Sequence, residues 1–265
     1  MVEKIPVIDV LKQSLMLLRE NAVAAVILFG GLALAGSAIT VIWFPTPDPV
    51  NPKIDWLAVG LLLLVMLVAI PSRTAWYRRV LSGARSSGGL GWRIGREEGL
   101  LLLAGCKFSG WIVLAMALVG IPLAALTYGI GMLAHLSSNT VQVMAVSIVG
   151  IGILIVIVWA LPLVLMFPAA ALGMALSRKQ AFALASGNRW RLLLLACVIP
   201  GGLGHISGKL VGLSLPPAVS IILYAVASLL LMSFNGALLA LCYRHLASPA
   251  VVAEDGAGAP SPELG

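Results

Sequence analysis

The residues that catalysis or metal binding would need are few and scattered. The chain has three histidines, His135, His205 and His245, and a single adjacent acidic pair near its basic loop, Glu97 and Glu98. A hydrolytic or transfer site needs a nucleophile beside a base, or a metal with converging His and carboxylate ligands. Between residues 99 and 253 there is no Asp or Glu, so carboxylate chemistry is absent from more than half of the chain. Glu97 and Glu98 point in different directions on a helix and are expected to balance Arg93 and Arg96. Gly208-Lys209 has the ending of a phosphate-binding loop, but Leu203 occupies the position of its first glycine and Leu210 that of its Ser or Thr. Ser109, Thr127 and Ser233 lie in apolar runs and read as hydrogen-bonding residues within and between helices. The expectation is therefore a non-enzyme with no catalytic residues, no metal ligands and no cofactor.

The elements around these residues belong to a membrane protein. Hydrophobic residues make up 60% of the chain and charged residues 10%, with a mean hydropathy of +1.06, far from the balance of a soluble domain. A transmembrane helix needs about 20 apolar residues, and residues 108–177 contain no Lys, Arg, Asp or Glu. Taking charges as boundaries places six spans at about 22–44, 56–77, 108–134, 141–171, 192–213 and 217–243. The fold class is all-α, a polytopic transmembrane helix bundle with short interfacial amphipathic helices on the cytoplasmic side. It forms one domain over 1–247, followed by a tail over 248–265 expected to be disordered. With six spans, fifteen of the 17 Lys and Arg residues fall on one face and only Lys53 and Lys209 on the other. Basic residues are retained on the cytoplasmic side, so both termini are expected in the cytoplasm and the protein in the inner membrane. The three histidines then lie at different depths.

The same topology assigns the remaining features. Ala33-Leu34-Ala35 imitates a signal cleavage site, yet Glu3, Asp9 and Glu20 precede it and the apolar run continues to Phe44, as a retained span requires. The formal net charge of +7 reflects the membrane orientation and points to anionic phospholipid, with no nucleic acid. Cys106, Cys197 and Cys242 are unpaired in spacing and read as packing residues. Pro45, Pro47, Pro49 and Pro52 stiffen the first loop into an extended segment.

Three segments carry more information. Lys12-Gln13-Ser14-Leu15-Met16-Leu17 with Asn21 resembles Lys179-Gln180-Ala181-Phe182-Ala183-Leu184 with Asn188, each a short amphipathic stretch leading into a span. Ser177 and Gln180 form a capping box and Gly187 suits a left-handed helix end. An interfacial helix is thus expected over 178–186, with Phe182 and Leu184 turned inward. Its basic and aromatic residues Arg178, Lys179, Arg189, Trp190 and Arg191 are candidate lipid-headgroup contacts. In the fifth span, Pro200, Gly201 and Gly202 interrupt the apolar run, and Gly204, Gly208 and Gly212 follow at four-residue spacing. That pattern is either a close-packing stripe or a broken helix exposing backbone groups to a substrate. In the fourth span, Pro162 and Pro168 should kink the helix and aim its exit.

Trp159-x-x-Pro162, Pro168-Ala169, a short helix with a central Ala and then Ser186-Gly187-Asn188-Arg189-Trp190-Arg191 resemble a broad group of bacterial six-helix inner-membrane proteins of largely unknown function. That group is related to the membrane domain of some glycerophosphodiester phosphodiesterases. Ala75-Trp76-Tyr77-Arg78-Arg79-Val80-Leu81 with Arg93-x-Gly95-Arg96-Glu97 is similar to the cytoplasmic hairpin of the alphaproteobacterial members, and the resemblance covers most of residues 1–246. Catalysis in the phosphodiesterases resides in a soluble barrel with acidic metal ligands. No such pattern occurs here, so the resemblance implies a fold and not that activity. Proton or sodium coupling ordinarily uses an intramembrane acid, and no span contains one. The expected role is a membrane-organising, assembly or lipid-associated accessory protein whose partners are the phospholipid bilayer, a further membrane protein or a second copy. The runner-up is a small transporter or channel for a neutral or anionic substrate beside the fifth span.

Overall fold

Inside a bilayer each backbone amide must find its partner within the protein, which leaves the helix as the economical answer for apolar runs of this length. The computed structural model describes residues 4–43, 56–82, 95–134, 137–211 and 215–257, and they are all-helical with no strand. The helices are α1 Val7–Glu20, α2 Ala22–Trp43, α3 Trp56–Ser82, α4 Arg96–Leu133, α5 Ser138–Ala160, α6 Met166–Ala171, α7 Arg178–Leu184, α8 Arg189–Leu193, α9 Ile199–Val211 and α10 Pro217–Ala257. Six stretches are long and apolar enough to cross a membrane: Ala22–Ile42, Trp56–Ser82, Arg96–Met132, Asn139–Ala171, Arg189–Lys209 and Pro217–Ala247.

Helices overrun the charge boundaries used above. α3 continues past Arg73, Arg78 and Arg79 to Ser82, and α4 begins at Arg96 rather than at 108. A charge ends the stay in hydrocarbon, but it does not end the i to i−4 hydrogen bonding. α10 likewise continues to Ala257, over the first part of the segment expected to be disordered. Residues 258–265, the proline-rich loop, His135 and Gly212 lie outside the described residues.

Prolines change the helix type where they fall. Pro162 stands at the start of a 3₁₀ turn, Leu161–Leu165, that joins α5 to α6. Before Pro200 the fifth span widens into a π turn, Leu194–Val198, whose following amide, that of Ile199, donates to the Leu194 carbonyl. An imide nitrogen cannot donate to the residue four back, and the wider turn sits directly before it. The span therefore remains helical through Pro200, Gly201 and Gly202. Gly173, with φ of 78°, closes α6 while the Met174 amide reaches back to the Ala169 carbonyl at 3.0 Å.

Packing is uneven along the bundle. α2 runs against α10, α3 against both, α9 against α10, and α4 against α5, while α1 lies across α10 and α6 touches α3, α4 and α10. The main buried cluster draws on Ile5, Val10, the first turns of α2, the last turns of α3, the 3₁₀ turn, α6, α7, α8 and the second half of α10. These parts meet at one end, the end that carries the Lys and Arg residues. By contrast, 6% of the most apolar window of α4 is buried, so that helix faces its surroundings along most of its length.

Trp76 is the largest fully buried side chain. Its indole Nε1 donates to the Ser233 carbonyl at 2.9 Å, and Phe29 meets it edge-on at 5.9 Å between centroids. Gly236 makes room for the ring, since a Cβ there would lie 2.7 Å from Trp76 Cδ1. In the fifth span, Gly204 faces Leu231 of α10 at 3.5 Å, whereas a Cβ on Gly201, Gly202 or Gly208 would meet nothing within 4 Å. Close approach within the chain therefore uses Gly204 alone among the described stripe glycines.

Two substitutions separate these classes of glycine in thermal unfolding of the detergent-solubilised protein. Gly236→Ala should destabilise by about 1–3 kcal/mol through overpacking against Trp76. Gly208→Ala should be neutral or stabilising by up to about 1 kcal/mol, because Ala is the better helix residue and the site is open. Equal effects at the two positions would contradict the packing described.

Candidate functional site

The basic end is built from four polar junctions. At the first, Arg78 at the end of α3 donates from Nε to the Ala171 carbonyl at 3.0 Å and from Nη2 to Glu98 Oε1 at 3.1 Å. The same Nη2 lies 3.2 Å from Glu97 Oε2. Glu98 is buried and its other oxygen accepts the Gly95 amide at 2.8 Å. Both carboxylates thus serve Arg78 and not Arg96, one of the two partners the local spacing suggested; the other, Arg93, lies outside the described residues. Although neighbours on a helix diverge, at the first turn of α4 their side chains reach one guanidinium from two sides. A carbonyl left unpaired at the end of α6 is satisfied by the same group.

The second and third junctions use the two asparagines of the sequence repeat. Asn21, between α1 and α2, accepts from Arg79 Nε at 2.7 Å and donates to the Leu17 carbonyl at 3.0 Å. Asn188, between α7 and α8 and buried, accepts the Ile5 amide through Oδ1 at 2.9 Å. Arg191 completes that contact by donating to the Ile5 carbonyl at 3.0 Å. Both polar groups of Ile5 are therefore held by the Ser-Gly-Asn-Arg-Trp-Arg segment, and Arg191 is committed to the chain's own backbone. At the fourth junction, Arg244 donates to Gln13 at 3.2 Å.

α7 forms as its sequence dictates. Ser177 Oγ accepts the Gln180 amide at 3.3 Å, Gln180 Oε1 accepts the Ser177 amide at 2.8 Å, and Gly187 has φ of 75°. Ala181 and Ala185 form its fully buried face, while Phe182 and Leu184, expected inward, are partly buried at the flanks. The small alanines let α7 sit directly on the 3₁₀ turn, leaving the larger side chains at the rim.

That rim is the candidate site. Arg178 stacks over Trp111 of α4 at 4.7 Å from the ring centroid, and Arg189 over Phe182 at 5.4 Å. Trp111 and Trp159 stand 6.4 Å apart, and Trp159 and Phe182 5.4 Å apart. Three rings from α4, α5 and α7 thus run between two cations. Lys179 is exposed beside them, as is Trp190, with 76% of its surface open. Among the described residues no carboxylate pairs with Arg178, Lys179 or Arg189, so these three present uncompensated charge. Cation–π contact holds an arginine in place without neutralising it. Chemically the surface offers charge-assisted donors beside an aromatic platform, the combination that receives a phosphate headgroup with acyl chains below it.

The other singled-out groups do not join it. His205 is exposed on α9, and His245 Nε2 is buried without a hydrogen-bond partner. Among the described residues no three His, Cys, Asp or Glu side chains lie close enough to hold a metal ion. Cys197 and Cys242 pack into or against the core and Cys106 is exposed on α4, all three as free thiols. The partners that local spacing missed, Arg78 with Glu98 and Asn188 with Ile5, are 20 and 183 positions apart. The repeated asparagine was the one sequence signal toward them.

Compared with protein-family models, curated proteins and solved structures, the chain matches none. The Ile5 contact gives a direct check on the junctions. Asn188→Ala should leave the Ile5 amide buried without its partner, a loss of about 1–3 kcal/mol, and should expose residues 4–20 to faster hydrogen exchange. Unchanged exchange there would show that α1 is held by other contacts.

Proposed function

We propose that this protein is a non-enzymatic, multi-pass inner-membrane protein that gathers anionic phospholipid at its cytoplasmic surface, as a membrane-organising, assembly or lipid-associated accessory. The observation that carries this reading is the uncompensated cation–aromatic rim of Arg178, Trp111, Trp159, Phe182 and Arg189, with Lys179 and Trp190 alongside. The distribution of Lys and Arg supports a cytoplasmic position for this end and for both termini. α1 and α7 then lie at headgroup depth as interfacial amphipathic helices. Arg191 is left out of the lipid contact because it holds Ile5. The resemblance to the bacterial six-helix group described above is consistent with this role, and the bilayer itself is the first partner, beside a further membrane protein or a second copy.

Lipid analysis of the purified protein by native mass spectrometry is the test. Phosphatidylglycerol and cardiolipin should be retained over phosphatidylethanolamine. At about 1 kcal/mol per basic residue at a charged surface, Arg178→Gln with Arg189→Gln should weaken that retention by on the order of tenfold to thirtyfold. Retention of no anionic lipid, or retention unchanged in the double variant, would overturn the reading.

One observation favours the transporter reading as second choice. The π turn of the fifth span lies against α10, and on α10 the buried Asn235 Oδ1 has no hydrogen-bond partner. A pathway for a neutral or anionic solute beside that turn predicts that Asn235→Leu abolishes uptake in proteoliposomes while folding survives. Loss of the folded protein instead would assign Asn235 to packing.

A further inference from the structure

Away from the α7 rim, α2 and α10 enclose an apolar groove of about 480 Å³ between Leu18, Val26, Gly30, Leu34, Ile222 and Leu229. Gly30 makes the recess: a Cβ built there would meet Val26 and Leu229 at 3.6 and 3.8 Å, ordinary contact distances, so a small side chain would fit and a larger one would fill the space. From Ala22 to Leu34 the groove follows thirteen residues of α2, about 18 Å at the helical rise. That is close to half of a hydrocarbon core about 30 Å thick, and the groove starts at the basic end. It therefore belongs to one leaflet.

The charge next to Leu18 in the chain identifies the occupant. Arg19 follows Leu18 directly, is exposed, and forms no ion pair; the neighbouring carboxylate Glu20 is also exposed and does not compensate it. Lys12, two turns earlier on the same face of α1, adds a second exposed cation, while Arg79 is turned to Asn21. An apolar recess in the protein takes hydrocarbon, and an exposed guanidinium one residue from its wall can reach phosphate. We propose that this groove holds one acyl chain of a phospholipid from the leaflet at the basic end, with the lipid phosphate against Arg19. This site shares no residue with the α7 rim and stands whether or not that rim selects anionic lipid.

The test uses the full-length protein in nanodiscs of equal parts phosphatidylethanolamine and phosphatidylglycerol, with a trace of each lipid carrying a diazirine in its acyl chain. After photolysis, labelled peptides should concentrate on α2 and α10 around Val26 and Val226, above the labelling of the open face of α4 around Val113 and Leu118. Gly30→Leu should reduce the groove labelling severalfold and leave α4 labelling and thermal stability unchanged. Val226→Phe, which narrows the groove from the other wall, should do the same and serves if Gly30→Leu fails to fold. Arg19→Gln should reduce groove labelling, whereas Arg178→Gln with Arg189→Gln should not, which separates this site from the rim. Labelling no stronger in the groove than on α4, or labelling unaffected by either filling variant, would overturn the proposal.

Discussion

A guanidinium withdrawn from water between helix ends is stable only when its charge and its donors are matched, and Arg78 sets that requirement for the basic end of the bundle. Its Nε takes the last free carbonyl of α6 and its Nη2 faces both Glu97 and Glu98 at the start of α4. Removing one partner from such a set leaves a desolvated charge, at a cost of about 3–5 kcal/mol for a fully buried pair and less at this partly open site. The constraint fixes more than one contact. With the ends of α3, α4 and α6 drawn to one point, Trp76, two residues earlier on α3, is carried into the space between α2 and α10, where Gly236 admits it. The 3₁₀ turn that follows α5 is then placed under α7.

From that knot the bundle loosens toward its other end. The α4–α5 hairpin is joined to the rest mainly through α6, α3 and the 3₁₀ turn, and α9 leans on α10 with most of its surface open. In lipid there is no hydrophobic drive for these helices to close up, so the unpacked half costs little while the packed half carries the specificity. The consequence for function is positional. The side chains held in defined places, the ring stack of Trp111, Trp159 and Phe182 with its two arginines and the two asparagine junctions, are all at the packed end.

Local rules made a good part of this visible in the sequence. Six spans follow from charge-free length, the α7 capping box from Ser177 and Gln180, the left-handed turn from Gly187, and the end of the fourth span at Ala171 from the apolar run. Each depends on residues within a few positions of one another. The Arg78 cluster, the Asn188 hold on Ile5 and the fit of Gly236 to Trp76 join residues distant in the chain, and no spacing rule reaches them. Charge boundaries also misjudged the helices: arginines that meet an internal carbonyl or a carboxylate ride inside α3 instead of ending it. The glycines of the fifth span show the reverse error, a strong local pattern of which Gly204 alone, among the described positions, packs against another helix of the chain.

The most direct measurement is the side of the membrane on which the packed end lies. In a background with Cys106, Cys197 and Cys242 replaced, Lys179→Cys and Lys53→Cys would each be treated with a membrane-impermeant maleimide in intact cells and in inverted vesicles. A cytoplasmic knot with its α7 rim at the inner headgroups predicts that position 179 reacts only in inverted vesicles and position 53 only in intact cells. Reaction of position 179 from the outside would contradict it.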